Sequence, residues 1–143
     1  MLQKSMVEIM NIADYDDFFH DGSIINIQQT NNKIELSMES AEISEEDLKD
    51  KVVLSEHNTL KGKLHLEGVK KILNKDQPFF GVLSMLYDSA EILHLNIINN
   101  RVTLSLEWEN FPPHPKVIAY SFLEIEADKI WWENIPDLYD PFA

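Results

Sequence analysis

Residues 82–110 read VLSMLYDSAEILHLNIINNRVTLSLEWEN, and this stretch decides the fold. Within it, residues 101–109 alternate apolar with polar side chains, the period of two that a strand shows when one sheet face is buried and the other is wet. The apolar set is Val102, Leu104, Leu106 and Trp108, and the polar set is Thr103, Ser105, Glu107 and Glu109. The pattern predicts a strand with one face in the core.

Two tight turns flank the strands of this stretch. Asn99 and Asn100 form a two-residue connection, because asparagine tolerates the positive φ that tight hairpins require. Asp88 and Ser89 offer a second turn earlier in the stretch. The sequence therefore predicts a meander of three short strands, over residues 82–87, 91–98 and 101–109.

Similar patterns predict further strands. Residues 23–40 contain a second hairpin, with its turn at Asn31 and Asn32. Residues 59–67 place lysines in the outward row, which suits an edge strand because charge discourages pairing with another chain. Residues 117–127 carry apolar residues on both sides at first and alternate later, so we expect this strand to begin between two layers and to end at the surface.

Helical turns are predicted in only two places. The first is residues 13–19, with Asp14 as the cap, and the second is residues 43–50, in which Ser44 can cap the first turn. Without helices between the strands, the pattern indicates sheet packed on sheet or a partly closed barrel. We expect an all-β, mostly antiparallel fold, a sandwich or partly open barrel of about 8–10 strands. Residues 1–143 are expected to form one domain, since no linker interrupts them.

Composition narrows the setting. The chain has 143 residues and no cysteine, which excludes a disulfide framework and suits a reducing compartment. Polar residues interrupt the first ten positions, so we expect no signal peptide. No apolar stretch approaches the roughly 20 residues of a membrane helix. We expect a soluble, cytoplasmic protein that does not bind membranes.

The charge is strongly negative and uneven. The chain has a net charge of −13, and residues 1–50, with 12 acidic and 3 basic side chains, carry −9. Such a field repels nucleic acid and attracts a basic partner. The expected partner is therefore a basic protein. The candidate partner-binding residues are Asp14, Asp16, Asp17, Glu42, Glu45, Glu46 and Asp47.

Patterns that carry chemistry are missing from the sequence. The four glycines form no phosphate-binding loop, and no serine lies in a nucleophile elbow. The five histidines are isolated in sequence, and His65 has the outward phase of a surface residue. We expect no catalytic residue, metal ligand or cofactor. Glu107 and Glu109, like Glu124 and Glu126, are interpreted as solvent-facing rows and not as acid–base pairs.

Two aromatic motifs remain. Phe18 and Phe19 lead into His20, Asp21 and Gly22, a structural turn in which we expect Asp21 to accept from backbone N–H groups and Gly22 to take positive φ. Trp131 and Trp132 are adjacent on an extended segment, so one ring should be buried and the other at least partly exposed.

The turn also carries a resemblance. Its residues, with the strand that follows, are Phe19, His20, Asp21, Ser23, Ile24 and Ile25. They resemble the Phe-His-Asp opening of small all-β bacterial immunity proteins of polymorphic toxin systems. The resemblance implies a cytoplasmic protein that binds and neutralises a cognate toxin and has no reaction of its own.

Three functional hypotheses follow. The first is a non-enzymatic, immunity-type inhibitor that binds a basic toxin through its acidic surface. The second is a β-sandwich that binds a small molecule or carbohydrate through Trp108, Trp131 and Trp132, because tryptophan stacks on sugars and fills pockets. The third is a histidine- and carboxylate-based hydrolase, which requires His20 and another histidine to converge on one point.

Overall fold

The computed structural model describes residues 11–137 and shows a mostly antiparallel β fold, which confirms the predicted class. The described residues contain seven strands and two short 3-10 helices, η1 and η2. In chain order these elements are η1 (Ile12–Phe19), β1 (Ser23–Thr30), β2 (Lys33–Glu42), η2 (Glu45–Asp47), β3 (Thr59–Asn74), β4 (Gln77–Pro78), β5 (Ser89–Ile98), β6 (Arg101–Glu109) and β7 (Tyr120–Asn134).

The strands form one sheet that curls back on itself. Their order is β2-β1-β5-β6-β7-β3-β4, and β2 also pairs with β3. This pairing joins the first strand of the order to the sixth, so the sheet closes into a barrel and the two-residue β4 extends β3 alone. Every pairing between neighbouring strands is antiparallel. The prediction that residues 59–67 form an edge strand is wrong, because β2 and β7 cover both sides of that segment.

The two predicted hairpin turns are present. Thr30 pairs with Lys33 across Asn31 and Asn32, and Asn31 has φ 56°. Asn99 has φ 53° in the equivalent turn between β5 and β6. The first asparagine of each turn thus adopts the left-handed conformation that this residue tolerates better than most.

Other predicted strands differ from the structure. Residues 82–87 are irregular, and only Leu83 among their large apolar side chains is buried, with its N–H donating to Gln29 Oε1 at 2.7 Å. The last strand begins at Tyr120, not at residue 117, and its first part is not covered by a second layer. Seven strands suffice where about 8–10 were predicted, since β3 and β7 have 16 and 15 residues and pair along most of that length.

The helical turns are shorter or differently capped than predicted. The cap of η1 is Asn11, whose side chain accepts from the Ala13 N–H at 3.2 Å, and not Asp14. The second turn has only three helical residues, and the Ser44 side chain makes no capping hydrogen bond. Both are 3-10 segments, so neither forms a packing layer.

The helix η1 seals a gap between β1 and β5. These strands pair only at Ser23 and Ile24 of β1, so much of one β5 edge lacks a strand partner. The Ile97 N–H instead donates to the Asp16 carboxylate at 2.9 Å, and His20 Nδ1 donates to the Leu93 carbonyl. Polar backbone groups that a diverging strand leaves free are thus paired, as their burial requires.

The barrel interior holds one hydrophobic core. Inward residues of β2, β3, β6 and β7 fill it, with Trp132 and Phe19 among the largest fully buried side chains. The two rings meet edge to face, with centroids 5.5 Å apart, so η1 is anchored to the core beside β7. Gly62 permits a close approach here, since an added Cβ would lie 2.0 Å from the Glu133 carbonyl oxygen.

No helix within residues 11–137 is long and apolar enough to cross a membrane.

Candidate functional site

Backbone hydrogen bonds connect the His-Asp-Gly corner to β5. The Asp21 N–H donates to the Ile92 carbonyl, and the Ile92 N–H donates to that of Gly22, which joins the corner to β5. Asp21, not Gly22, has positive φ, at 68°. Gly22 is needed for space, because an added Cβ would lie 2.3 Å from the Glu39 carbonyl oxygen. Within the described chain, the side-chain partners of His20 are the Leu93 carbonyl and Asp21.

The three tryptophans do not line one site. Trp108 and Trp132 are buried, with Trp108 Nε1 donating to Ser121 Oγ at 2.8 Å and Trp132 Nε1 to Asn134 Oδ1 at 3.2 Å. Trp131 lies on the outside of the barrel and is half-buried. The adjacent pair therefore divides as the sequence predicts, one ring inside and the other partly exposed.

Trp131 belongs to a cross-strand cluster on the outer face of β2, β3 and β7, which we call the paired face. Its ring stacks on the His65 imidazole with centroids 4.0 Å apart and planes 7° apart. His65 Nε2 donates to Glu133 at 2.8 Å, and Glu35 lies 3.7 Å from Nδ1. The interpretation of His65 as a surface residue is wrong, since only 9% of its side chain is exposed beneath these neighbours.

The remaining charges of the paired face are also matched. Trp131 Nε1 donates to Glu67 at 2.6 Å, and this hydrogen bond lowers the pKa of the Glu67 carboxyl. Lys63 lies 3.6 Å from Glu35, and the Lys129 ammonium lies 5.7 Å from the Trp131 ring centroid. Hydrogen bonds, ion pairs and a cation–aromatic contact thus connect these side chains within the paired face.

Six of the seven acidic residues predicted to bind a partner are exposed, and we call these six the acidic rim: Asp14, Asp17, Glu42, Glu45, Glu46 and Asp47. The Tyr15 hydroxyl donates to Asp50 at 2.8 Å and accepts from the Asp50 N–H, so η1 lies beside the segment that contains η2. Burial and the Asp50 hydrogen bond raise the pKa of that hydroxyl. The sequence patterns cannot show this contact, because it joins residues 35 positions apart.

The rim carboxylates are largely free. Asp14 has a loose pair with Lys49 at 3.9 Å, and among residues 11–137 no cation forms an ion pair with the other five. All six are exposed. The carboxylate of Asp16, the seventh predicted residue, instead accepts a hydrogen bond from the Ile97 N–H and so helps to hold η1 against β5.

A second outer face, formed by β5, β6 and the first half of β7, has few internal partners and is called the open face. Glu107 lies between Glu91 of β5 and Tyr120 of β7, and Ser105 lies between His94 and Phe122 in the next row. Tyr120 and Phe122 are 40% and 46% exposed. Their ring centroids are 6.3 Å apart and their planes 11° apart, so the two rings are nearly parallel.

The carboxylates of the open face are crowded. Burial raises the pKa of Glu91, and the nearby charges of Asp21, Glu109 and Glu107 raise it further. Like charges directly opposite each other on neighbouring strands repel. No ion pair joins Glu91, Glu107 or Glu109 to a cation within the described part of the chain.

A groove continues the open face toward the turn between β5 and β6. It has a volume of about 470 Å³, and Arg101 at its edge lies 3.7 Å from Glu124. Its lining residues are Asn96, Ile98, Asn99, Asn100, Arg101, Thr103, Glu124 and Glu126. Polar side chains and an exposed aliphatic one, Ile98, therefore offer hydrogen bonds and an apolar contact next to the aromatic pair.

Residues 11–137 contain no cluster of three or more His, Asp or Glu side chains arranged to hold a metal ion. His114 Nδ1 donates to Asp88 at 2.8 Å, and Asp88 also accepts from the Phe111 N–H. The Phe111 hydrogen bond, with that of His114, lowers the pKa of Asp88. This pair ties the start of β5 to the loop after β6.

Comparison of the chain with protein-family models, curated proteins and solved structures finds no match.

Proposed function

We propose that this chain is a non-enzymatic binding protein, of the immunity-type inhibitor class, that engages a basic protein through its acidic rim. The observation that carries the proposal is the contact between two acidic segments, made by Tyr15 and Asp50. Among residues 11–137, five exposed carboxylates of these segments form no ion pair with a cation: Asp17, Glu42, Glu45, Glu46 and Asp47. A surface of free carboxylates attracts a basic protein and raises its association rate.

The whole-chain charge favours a protein partner over nucleic acid. A net charge of −13 repels the phosphate backbone, whose binding depends on lysine and arginine contacts. In the proposal the inhibitor acts in the cytoplasm, a reducing compartment that suits a chain without cysteine. Inhibition then requires only that the acidic surface covers a basic surface of the toxin.

The proposal is tested by capture from the native host. The tagged protein is incubated with lysate at about 50 mM and about 200 mM salt, two ionic strengths at which surface charges are screened differently. We expect a basic protein to be retained at the lower salt and to be identified by mass spectrometry. Recovery of no basic protein at either salt concentration contradicts the proposal.

A matched pair of variants assigns the binding to the rim. E45Q/E46Q removes two rim charges, whereas D76N/D128N removes two exposed acidic charges toward the other end of β3, away from the Glu42–Thr59 pairing. We expect the rim variant to associate about tenfold more slowly with the captured partner, and the control variant to change by less than about twofold. Equal effects from both variants would show that net charge alone is responsible.

A further inference from the structure

The aromatic pair of the open face is partly exposed in the part of the chain that the structure describes. Tyr120 and Phe122 lie two residues apart on β7 and project outward together, while the intervening Ser121 is buried. The faces of aromatic rings attract cations electrostatically, most strongly when the contact excludes water. Two parallel rings of this kind form a platform suited to a flat, positively charged group.

Carboxylates stand beside this platform. Glu107 is the direct cross-strand neighbour of Tyr120, and Glu91 follows on the next strand. Side chains directly opposite each other on antiparallel strands have their Cβ atoms about 5 Å apart, so a group over the Tyr120 ring is within reach of Glu107. A cation placed there would also relieve the repulsion between Glu91 and Glu107.

We propose that the open face binds an arginine-bearing segment of the partner, with a guanidinium stacked on Tyr120 and Phe122 and hydrogen-bonded to Glu107. Arginine fits better than lysine because its planar guanidinium can stack and donate to a carboxylate at once. The rest of the segment continues along the groove, where Asn96 and Thr103 offer polar contacts. This inference rests on the proposed function and specifies which partner chemistry this second surface recognises.

The test uses the full chain and a short peptide that alternates arginine with serine. Calorimetry at about 50 mM and about 300 mM NaCl measures the affinity of the unchanged protein and of Y120T/F122T. The double substitution leaves the charge unchanged and introduces threonine, a β-branched residue that favours strands. We expect it to weaken peptide binding about tenfold, and E107Q to weaken binding about fivefold, because the cation loses its platform or its carboxylate.

A matched control separates this contact from general exposure of aromatic residues. Phe80 is 93% exposed and lies outside the open face, so F80T is expected to change the affinity by less than about twofold. Thermal unfolding of each variant establishes that the fold persists. Affinity of Y120T/F122T within about twofold of the unchanged protein overturns the inference, as does unmeasurable binding of the peptide at the lower salt concentration.

The rim variant distinguishes failure of this inference from failure of the proposed function. If E45Q/E46Q weakens capture of the basic partner while Y120T/F122T leaves both partner and peptide binding unchanged, the inference is wrong and the proposed function stands. If the host yields no basic partner but the peptide binding still depends on Tyr120 and Phe122, the inference stands as a property of the surface and the inhibitor proposal fails.

Discussion

At the residue scale, His65 shows how an outward-facing side chain becomes buried. Its phase on β3 points away from the core, yet Trp131 covers one face of its ring and Glu133 accepts a hydrogen bond from Nε2 at 2.8 Å. The partners come from β2 and β7, which are distant in sequence. The surrounding cluster stabilises the pairing of three strands on the outside of the barrel.

Replacing His65 by alanine is expected to destabilise the protein. The substitution removes the stacking contact and leaves Glu133 without its donor, at a cost of about 1–3 kcal/mol in the free energy of unfolding. Urea denaturation measures the difference. The control is H57A, because the His57 side chain is 74% exposed and should contribute almost nothing. An H65A variant as stable as H57A would contradict the role given to this cluster.

Glu91 is expected to have the opposite effect on stability. Its pKa is raised in the folded state by burial and by the neighbouring acids. The ionised carboxylate therefore destabilises the fold. This destabilisation is complete at pH values above the raised folded-state pKa and is absent below the pKa of the unfolded state. E91Q should stabilise the protein at neutral pH by roughly 0.2–1 kcal/mol, and the gain should vanish in acid. Urea unfolding at neutral pH and at a pH below the unfolded-state pKa measures this gain in stability.

Glu67 provides the comparison of opposite sign. Its pKa is lowered, chiefly by the Trp131 hydrogen bond, so its contribution to stability is present above the unfolded pKa and is lost as pH falls through the folded one. E67Q should therefore lose stability at neutral pH and approach the unchanged protein in acid. If E91Q and E67Q shift stability in the same direction at neutral pH, the opposed electrostatic roles of the two faces are wrong.

At the element scale, η1 substitutes for a strand along the β5 edge. The Asp16 carboxylate accepts from the Ile97 N–H, a group that a neighbouring strand would otherwise pair. D16A should leave that N–H without a partner and cost about 1–3 kcal/mol. Hydrogen exchange followed by NMR should show faster exchange at Ile97. D17A is the control, since Asp17 is exposed, and unchanged Ile97 exchange in D16A would refute the sealing role.

Local features of the elements could be predicted from the sequence, whereas long-range pairings could not. The turns at Asn31 and Asn99 were predictable because their chemistry depends on adjacent residues. The alternation of residues 101–109 likewise predicted β6 with its correct face inward. The pairing of β2 with β3, which closes the barrel, is not made through a short turn, so no local pattern predicts it. Residues 59–67 therefore resembled an edge strand. Residues 82–87 resembled a strand, although the segment is irregular and Val82 and Leu86 are exposed.

The candidate surfaces were predictable only in part, for the same reason. The acidic segments around Asp14 and Glu45 were visible in the charge distribution, but their contact through Tyr15 and Asp50 was not. Tyr120 and Phe122 lie in the first part of residues 117–127, which carries apolar side chains on both faces. Such a pattern usually indicates a strand buried between two layers. Their spacing of two residues on the outward phase was the signal that could have located the open face.

At the scale of the whole molecule, repulsion among like charges opposes folding. The chain has 25 acidic and 12 basic side chains, so screening should weaken repulsion more than it weakens the ion pairs. Raising NaCl from about 10 mM to about 200 mM should raise the free energy of unfolding by on the order of 1 kcal/mol. Urea titrations at both salt concentrations test this, and a decrease would show that the paired face dominates the electrostatics.

Closure of the sheet has a consequence for how specificity can change. Since β2 pairs with β3 and η1 occupies the β5 edge, most main-chain groups of the long strands are already used. Under the proposed function, discrimination between partners then depends on outward side chains such as Glu107 and Tyr120, which contribute little to the core. Substitutions of those two side chains are therefore expected to change the proposed binding while leaving the strand pairing of the barrel intact.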